Sequence, residues 1–311
     1  MIKVTNLRKT YGDIVAVDSI SFSVAEGEIY GLLGPNGAGK STTISILCGL
    51  LQPTSGSVAI ANYNLFTEPM NVKKIMGVVP QEVSLYKELS AYDNLMFIGS
   101  LYGLKSKELK QRTLEVLELI GLAHRMREPI EKYSGGMMRR LNIACGIVHK
   151  PKVLLLDEPT VGIDPQTRLN ILETISQTAA HGTTVLFTTH YLDEAEEICH
   201  RIGIIDHGKI LMEGTLQELR NAVAEKDIVI VKGNFTIELL QNKLNELALH
   251  GTEILSFKEG IASIALPPGQ QNITLLFKNL SAMSEIKEFN IKQPSLETLF
   301  IKLTGRELRE A

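Results

Sequence analysis

A nine-residue run near the N-terminus, Gly34 to Thr42, constrains the fold of this chain more than any other feature. Its sequence, GPNGAGKST, satisfies the pattern G-x-x-x-x-G-K-[ST] and lies between a predicted strand, EIYGLL, and a predicted helix, Lys40 to Leu47. Glycines at a strand-to-helix turn let backbone N–H groups converge on an anion, and the positive end of the helix points at it. The run therefore predicts a phosphate-binding loop, called the phosphate loop below.

The phosphate loop predicts a magnesium nucleotide as its ligand. We expect Lys40 to reach the β- and γ-phosphates and the Ser41 hydroxyl to ligate Mg²⁺. The motif alone fits a kinase, a GTPase, a helicase or a transport motor. The residues predicted to contact ATP are Gly34, Pro35, Asn36, Gly37, Ala38, Gly39, Lys40, Ser41 and Thr42.

Length and composition narrow the classes of protein that this chain can be. Its 311 residues exceed what one core usually organises, so we expect two domains. A net charge of -3 gives no basic footprint, which argues against nucleic acid as a partner. The apolar stretches are far shorter than the ~18 residues of a spanning helix, and the N-terminus lacks the apolar region of a signal peptide. If a membrane is involved, we expect a partner to supply it.

The three cysteines give no sign of a disulfide framework or a zinc site. Cys48, Cys145 and Cys199 are odd in number, far apart in sequence and without CxxC spacing. We expect them to be buried thiols.

The pattern along the chain predicts an α/β domain followed by a smaller α+β domain. Short strands fill residues 2 to 33, helical periodicity runs from about Tyr92 to Ile120, and apolar strands alternate with helices from Val153 to Glu213. Beyond residue 222 the elements follow the order βαββαβ of a ferredoxin-like module, and a last helix is expected from Ser295 to Arg309. The predicted domains are 1–222, a mixed β-sheet core with a helical subdomain at about 83–150, and 223–311.

A predicted buried strand, Val153 to Leu156, ends in two adjacent carboxylates. Ligands of an α/β sheet bind at the carboxyl ends of its strands, so we expect Asp157 to hold the Mg²⁺ shell. Glu158 is the candidate general base that polarises the attacking water. The alternative is a structural Asp-Glu-Pro turn after a strand.

A second candidate anion site is the tripeptide Ser134-Gly135-Gly136, which opens a predicted helix, Met137 to Val148. The alternative is a simple helix cap. If the two helix N-termini belong to separate subdomains, they do not easily converge on one phosphate. We therefore infer that this second site serves the ATP of a partner molecule.

Three further residues are candidates for the same chemistry. His190 ends the strand TVLFTT and could donate to the γ-phosphate, or it could be a surface histidine. Gln81 follows the strand GVVP and could sense Mg²⁺ and water, or lie on the surface. Tyr11, in an early turn, could stack on adenine or pack on the core.

Taken together and in order, these motifs resemble those of the nucleotide-binding subunit of an ATP-binding cassette transporter. The resemblance covers residues 1 to about 220 and rests on GPNGAGKST (34–42), Gln81, YSGGM (133–137), LLLDEPT (154–160), Gly162-Ile163-Asp164 and His190. Met137, Val161 and Ile163 depart from the commoner residues of the family, but none of them replaces a catalytic group.

The resemblance implies a head-to-tail homodimer with two ATP molecules, each held between Gly34–Thr42 of one protomer and Ser134–Met137 of the other. It implies Glu158 as the catalytic base, His190 as the γ-phosphate switch and Gln81 as the link to the membrane subunit. It also implies Tyr11 as the adenine platform and Asp164 at the dimer interface.

The C-terminal segment, residues 294–310, is similar to the tail of bacterial exporters of drugs, antibiotics, lipids or polysaccharides that use separately encoded membrane subunits. The alternative for this segment is a helix packed on the small domain or on the dimer mate. The complete motif set implies a peripheral motor on the cytoplasmic face of the cell membrane, in which Val83 to Phe97, near Gln81, would receive a helix of the permease. The aromatic residues of that segment could instead fill the helical subdomain. Drug or antibiotic export is the favoured function; the alternatives are lipid or polysaccharide export, import, or a soluble translation or DNA-repair ATPase.

Overall fold

A computed structural model of the chain describes residues 1–222, 227–247, 251–258, 260–267, 269–292 and 296–304. The chain divides into two compact units, Met1–Thr215 and a second that begins at Leu216. This division lies ahead of the predicted boundary near residue 222, because the short helix Leu216–Ala222 belongs to the second unit.

The first unit contains two sheets. Its strands are β1 (Ile2–Tyr11), β2 (Ile14–Val24), β3 (Ile29–Leu33), β4 (Ser55–Ile60), β5 (Tyr63–Asn64), β6 (Met76–Val79), β7 (Val153–Leu156), β8 (Thr184–Thr189), β9 (Arg201–Asp206) and β10 (Lys209–Gly214). Its helices are α1 (Lys40–Leu47), α2 (Pro69–Lys73), α3 (Ala91–Leu101), α4 (Ser106–Leu119), α5 (Gly135–Ile147), α6 (Pro165–Ala180) and α7 (Leu192–Ile198).

The larger sheet has the strand order β10-β9-β3-β8-β7-β6. All its neighbouring strands are parallel except the antiparallel pair of β10 and β9. Every residue of β3, β7 and β8 is buried, because helices and the second sheet cover both faces, and this explains their continuous apolar sequences. The carboxyl ends of β3, β6, β7 and β8 share one edge, where the sequence places its motifs.

The smaller sheet, β2-β1-β4-β5, is antiparallel and shows the alternation expected of a sheet with one buried face. In β1, for example, Ile2 and Val4 are buried and Lys3 between them is exposed. These buried residues share one apolar cluster with Ile44 and Leu47 of α1 and Leu155 of the larger sheet. The helix that follows the phosphate loop is therefore enclosed between the two sheets.

Helices α3, α4 and α5 lie within the segment predicted as a helical subdomain. Ser90 caps α3 by accepting a hydrogen bond from the Asp93 N–H, and Gly103, with φ 80°, lies in the turn between α3 and α4. Their buried faces form one apolar cluster with β7 and α6, which includes Leu95, Leu117 and Leu141. Helix α5, which begins at the Ser134-Gly135-Gly136 tripeptide, thus packs directly on the sheet that carries the phosphate loop.

The second unit has its own small core. After α8 (Leu216–Ala222) come β11 (Asp227–Gly233), α9 (Ile237–Glu246), β12 (Glu253–Lys258), β13 (Ile261–Leu266), α10 (Gln270–Met283), β14 (Ile286–Lys292) and α11 (Leu296–Thr304). The antiparallel sheet order β12-β13-β11-β14 confirms the predicted βαββαβ module. The predicted ends of the last helix, Ser295 and Arg309, lie outside the described residues.

The helices and the cysteines of the described residues agree with what the sequence predicts for membrane spans and disulfides. Within the part of the chain that the structure describes, no helix is both long enough and apolar enough to cross a bilayer. The three cysteines are free thiols; Cys48 and Cys145 are buried and Cys199 is half-buried. Burial raises the pKa of Cys48 and Cys145 to about 12, so both stay protonated at neutral pH.

Candidate nucleotide-binding site

The phosphate loop leaves the end of β3 and enters α1 at Lys40, as the sequence predicted. Gly39 caps the helix with φ 104°, and Gly37 has φ 80°, both in the left-handed region that favours glycine. A Cβ on Gly39 would overlap the carbonyl oxygen of Ala16, and one on Gly34 would overlap that of Ile205. The loop therefore needs glycine both for its turns and for the backbone that surrounds it.

A cavity of about 190 Å³ lies in front of this loop and combines residues from distant parts of the sequence. Gln81, from the loop after β6, and Glu158, from the loop after β7, line it beside the phosphate loop. Its full lining is Ala16, Asn36, Gly37, Gly39, Lys40, Ser41, Thr42, Gln81 and Glu158. Predicted candidates for phosphate, metal and water chemistry thus share one cavity.

Lys40 is almost fully buried, and its charge is compensated inside the site. Its Nζ lies 2.9 Å from Glu158 Oε1 and donates hydrogen bonds to the carbonyl oxygens of Gly34 (2.7 Å) and Pro35 (3.1 Å). A buried ammonium needs such partners because burial without them is costly. In this arrangement the lysine that was predicted to reach a nucleotide phosphate pairs with the predicted catalytic base.

Glu158 is held in a backbone conformation that is uncommon for a residue with a Cβ, with φ 43°. Its N–H donates to Thr188 Oγ1 (2.9 Å), and its Oε2 lies 3.4 Å from His190 Nδ1. Burial alone would raise the pKa of Glu158, but the neighbouring His190 and Lys40 outweigh burial and lower the pKa to about 2. The carboxylate is therefore ionised at neutral pH.

The residues present fit a magnesium ion. Ser41 Oγ donates to Asp157 Oδ1 (3.2 Å), and Thr188 Oγ1 donates to the same oxygen (2.7 Å), so the predicted hydroxyl and carboxylate ligands are neighbours. Mg²⁺ is usually bound by one or two carboxylates together with waters and substrate phosphates. Consistent with that, the described residues contain no group of three or more His, Cys, Asp or Glu that would form an all-protein metal cage.

Comparison with known proteins identifies the family. The family model described as "ABC transporter" matches residues 17–161, and that of the "ATP-binding protein DrrA1-3-like, C-terminal domain" matches residues 214–304. The linearmycin resistance ATP-binding protein LnrL of Bacillus subtilis is 41% identical over 319 residues, which cover 100% of both chains. The chain belongs to the ATP-binding subunits of ABC transporters. This confirms the resemblance inferred from the motifs.

Further relatives agree with this assignment of the ABC ATPase. The doxorubicin resistance ATP-binding protein DrrA of Mycobacterium tuberculosis is 37% identical, covering 97% of this chain and 92% of its own. Among solved structures, the dimeric ATP-binding cassette MJ0796 in a post-hydrolysis state with ADP and Pi has a TM-score of 0.64 and 29% identity, covering 70% of this chain and 99% of that chain. The chain therefore has the P-loop ABC ATPase fold and hydrolyses ATP; subunits of this kind dimerise and pair with membrane permeases.

The Ser134-Gly135-Gly136 segment of this ABC ATPase lies outside the cavity of its own protomer. Ser134 caps α5 by accepting a hydrogen bond from the Met137 N–H (3.2 Å), so it is a helix cap. Its role in binding the ATP of a partner stays a prediction. A Cβ on Gly136 would lie 2.9 Å from Thr167 Cγ2 in α6, whereas a Cβ on Gly135 would meet no atom of the other described residues within 4 Å. Packing within the protomer thus explains one glycine and leaves the other facing open space.

Three other predicted residues take different positions. His190 is buried beside Glu158 at the end of β8, which rules out a surface histidine. Asp164 caps α6, where its Oδ1 accepts a hydrogen bond from the Thr167 N–H (2.9 Å), and that bond lowers its pKa. Tyr11 ends β1, half-exposed and outside the cavity, with Lys9 Nζ 5.2 Å from its ring centre. The roles of these residues in binding ATP stay predictions.

The sequence did not reveal several residues that organise the site. Thr188, inside β8, links Asp157 and Glu158, although it reads as one more buried strand residue. Glu194 of α7 is buried and accepts hydrogen bonds from Thr160 Oγ1 (2.5 Å) and Thr189 Oγ1 (2.7 Å), yet it lies in the acidic run DEAEE, which indicates a solvated face. A third residue, Arg139, lies in α5 just after the glycine motif and donates hydrogen bonds to the carbonyl oxygens of Gln81 and Glu158. Only the three-dimensional arrangement identifies these contacts.

Proposed function

We propose that this ABC ATPase works as a homodimer that energises the export of drugs or antibiotics through a separately encoded membrane permease. The observation that carries the proposal is the full-length similarity to LnrL, named for linearmycin resistance, which includes the C-terminal unit. The doxorubicin resistance protein DrrA supports the same class of substrate. Drugs and antibiotics are thus the favoured substrates.

At the site, the proposed reaction is hydrolysis of Mg²⁺-ATP with Glu158 as general base. A carboxylate with a pKa near 2 is a weak base while it is paired with Lys40. When Lys40 turns to a bound phosphate, Glu158 loses that cation and its basicity rises. Ser41, Asp157 and Gln81 are the proposed ligands of Mg²⁺, and His190 is the proposed contact to the γ-phosphate.

The homodimer is proposed because the Ser134-Gly135-Gly136 segment does not line the nucleotide cavity of its own protomer. Ser134 and Gly135 lie at the exposed start of α5, away from the cavity, and Gly135 leaves room for a group from outside. The similar cassette MJ0796 was solved as a dimer. Each ATP would then contact the phosphate loop of one protomer and α5 of its partner.

The proposed contact with the permease lies on the segment that follows Gln81. Tyr86 and Phe97 pack edge to face, 5.1 Å between ring centres, and both are about half-exposed, at 50% and 39%. Tyr92, by contrast, packs against the helical core with Arg127 over its ring at 3.8 Å. The aromatic residues of this segment therefore divide between the two roles considered for them, with Tyr86 and Phe97 available to a permease helix and Tyr92 structural.

The test is drug transport by the full-length chain together with the membrane protein that co-purifies with it. Inverted membrane vesicles containing both are expected to accumulate doxorubicin or linearmycin when ATP is added. Glu158→Gln is expected to abolish accumulation, and Glu197→Gln, which changes an exposed carboxylate of α7, is the matched control. Transport that requires a separate solute-binding protein, or that runs in the opposite direction, would overturn export as the function.

A further inference from the structure

The side chain of Arg139 connects α5 to the loop after β6 and to the loop after β7, both of which contribute residues to the nucleotide site. It belongs to α5, is 3% exposed, and donates from Nε to the carbonyl oxygen of Pro159 (2.6 Å). Nη1 donates to the carbonyl oxygens of Pro80 and Gln81 (both 2.8 Å), and Nη2 to those of Asp157 (3.2 Å) and Glu158 (2.7 Å). One side chain thus binds the loop after β6 and the loop after β7.

These contacts satisfy a buried charge and fix the backbone on which the chemistry depends. A guanidinium is permanently charged and its donors form a rigid planar fork, so its five acceptors are held in one mutual arrangement. Two of those acceptors are the carbonyl groups of Gln81 and Glu158, whose side chains line the nucleotide cavity. Glu158 also has the sparsely populated φ of 43°, a conformation that persists only where its surroundings hold it.

The same helix begins at the proposed contact with the ATP of the partner. Ser134 caps α5, and Arg139 follows five residues later, about 7.5 Å along the helix axis at ~1.5 Å per residue. A displacement of the start of α5 therefore moves the guanidinium, and with it the carbonyl groups that set the positions of Gln81 and Glu158.

We propose that Arg139 is a positioning residue that makes hydrolysis in a protomer's own site depend on the position of its α5. The positioning role rests on the ATPase activity alone; the link to the ATP of the partner rests in addition on the homodimer of the proposed function. Arg139 touches no nucleotide in this assignment and acts through Gln81 and Glu158.

The first test compares Arg139→Gln with its neighbour, Arg140→Gln. Arg140 also belongs to α5, and its substitution by Gln removes the same charge. Its Nη1, however, donates to the carbonyl oxygen of Ile120 at the end of α4 and not to the loops of the site. Arg139→Gln is expected to lower kcat by about 10²-fold, because misplacing a catalytic group by ~1 Å costs that much. KM for ATP and the amount of nucleotide bound per protomer are expected to stay near wild type, and Arg140→Gln is expected to keep the wild-type kcat.

Counting bound nucleotide separates positioning from a loss of folded protein. If kcat falls only in proportion to the nucleotide-binding fraction, Arg139 supports the fold and the proposal is overturned. Should Arg139→Gln fail to fold, Arg139→Lys keeps the charge but offers a single nitrogen in place of the fork. That folded variant is expected to show a reduced kcat with unchanged KM, and a wild-type kcat would refute the proposal.

The second test mixes purified variants and asks in which site Arg139 acts. Arg139 and Glu158 are assigned to the same site, so mixing Arg139→Gln with Glu158→Gln is expected to restore no activity. Ser134→Arg mixed with Glu158→Gln should restore about a quarter of wild-type activity, because half of the dimers of a symmetric pair are mixed and each has one intact site of two.

The two mixtures distinguish the inference from the proposed homodimer. Recovery in the Arg139→Gln mixture would mean that Arg139 acts on the ATP of the partner, which would overturn its assignment to the site of its own protomer. Failure of the Ser134→Arg mixture would count against the head-to-tail homodimer and against the link to the partner's ATP, while the kcat comparison would still decide the positioning role.

Discussion

At the scale of single residues, the site is defined by a buried pair of opposite charges. Lys40 and Glu158 are 4% and 5% exposed and lie 2.9 Å apart. Removing one member of a buried pair leaves the other charge without compensation, which is strongly destabilising. Either charge can therefore lose its partner only if another group of opposite charge takes its place. A nucleotide phosphate supplies negative charge of its own, and it therefore competes with Glu158 for Lys40.

This competition predicts the behaviour of Glu158→Gln. Turnover should fall by ~10²–10⁴-fold, the usual cost of losing a general base. Affinity for ATP should be retained or increased, because Lys40 no longer has a carboxylate partner. Steady-state ATPase rates and equilibrium binding of a fluorescent ATP analogue measure the two effects. Undiminished turnover would exclude Glu158 as the base.

The pair also predicts an acid dependence of stability. Burial opposes ionisation of Glu158, but His190 and Lys40 outweigh it and lower the pKa from 4.5 to about 2, so the folded state favours the ionised form. That contribution to stability is fully present above pH 4.5 and is lost as the pH falls towards 2. In urea unfolding, the stability difference between wild type and Glu158→Gln is expected to shrink across this interval. A difference that stays constant between pH 5 and pH 2.5 would contradict the assigned ion pair.

At the scale of elements, α5 connects the helical subdomain to the larger sheet near both ends of the helix. Near its start Arg139 binds the loops after β6 and β7. Beyond its end the ring of His149 stacks on Tyr102 with 3.5 Å between ring centres, and its Nε2 lies 3.2 Å from the carbonyl oxygen of Met76 in β6. The carbonyl can only accept, so Nε2 carries the hydrogen and Nδ1 is the unprotonated nitrogen.

Because of His149, we expect the stability of the protein to depend on pH over a second interval, which lies at higher pH than that of Glu158. Burial lowers the pKa of His149 to about 4, opposed by the hydrogen bond to Met76 and assisted by nearby Arg112. Its Nδ1 has no hydrogen-bond partner among the described residues, so a proton added there would be a buried, unsatisfied donor. The unfolded chain takes up that proton near pH 6.5, and stability is therefore expected to fall as the pH drops from 6.5 to 4.

His149→Phe keeps a ring against Tyr102 and removes the titrating group. The free energy of unfolding of this variant should depend less steeply on pH between 6.5 and 4 than that of wild type. The matched control is His124→Phe, which removes an exposed histidine. Equal slopes for His149→Phe and wild type would show that folding does not lower the pKa of His149, which would contradict its burial as an unsatisfied donor.

What the sequence could predict follows from how local each feature is. The phosphate loop is contiguous, and its turn requires glycine at Gly37 and Gly39, so the strand, turn and helix that the motif predicts are found in the structure. The meeting of Gln81, Glu158 and His190 followed from the common edge at which parallel strands end. Nothing in the sequence predicted the five acceptors of Arg139. Every residue has a backbone carbonyl group, and the residue type alone does not distinguish a buried arginine from an exposed one.

At the scale of the whole molecule, the chain pairs an ATPase unit with a smaller unit that has a separate core. Every residue assigned to ATP chemistry lies in the first unit, and the relatives match both units over nearly their full length. The fold of each unit is therefore set by its own core, whereas the ATP site, as proposed, is completed only when two copies of the chain meet.

Gly135 offers a direct test of that completion. An aspartate there would begin α5, where a negative charge interacts favourably with the helix dipole, and its Cβ would meet no atom of the other described residues within 4 Å. Gly135→Asp is therefore expected to unfold at the wild-type temperature or slightly above it. In the proposed dimer the same carboxylate would face the phosphates of the partner's ATP, so ATPase activity should fall by at least ~10-fold, the cost of about 1.4 kcal/mol of repulsion.

Sedimentation of Glu158→Gln with ATP, with and without Gly135→Asp, measures the dimer itself. The second substitution is expected to shift the protein from dimer to monomer while one ATP still binds per protomer, because Lys40 and the phosphate loop are unchanged. Gly135→Ser adds a small neutral side chain at the same position and separates charge from bulk. A Gly135→Asp variant that dimerises and turns over like wild type would place the ATP of the partner elsewhere, since a carboxylate cannot approach a triphosphate without repulsion.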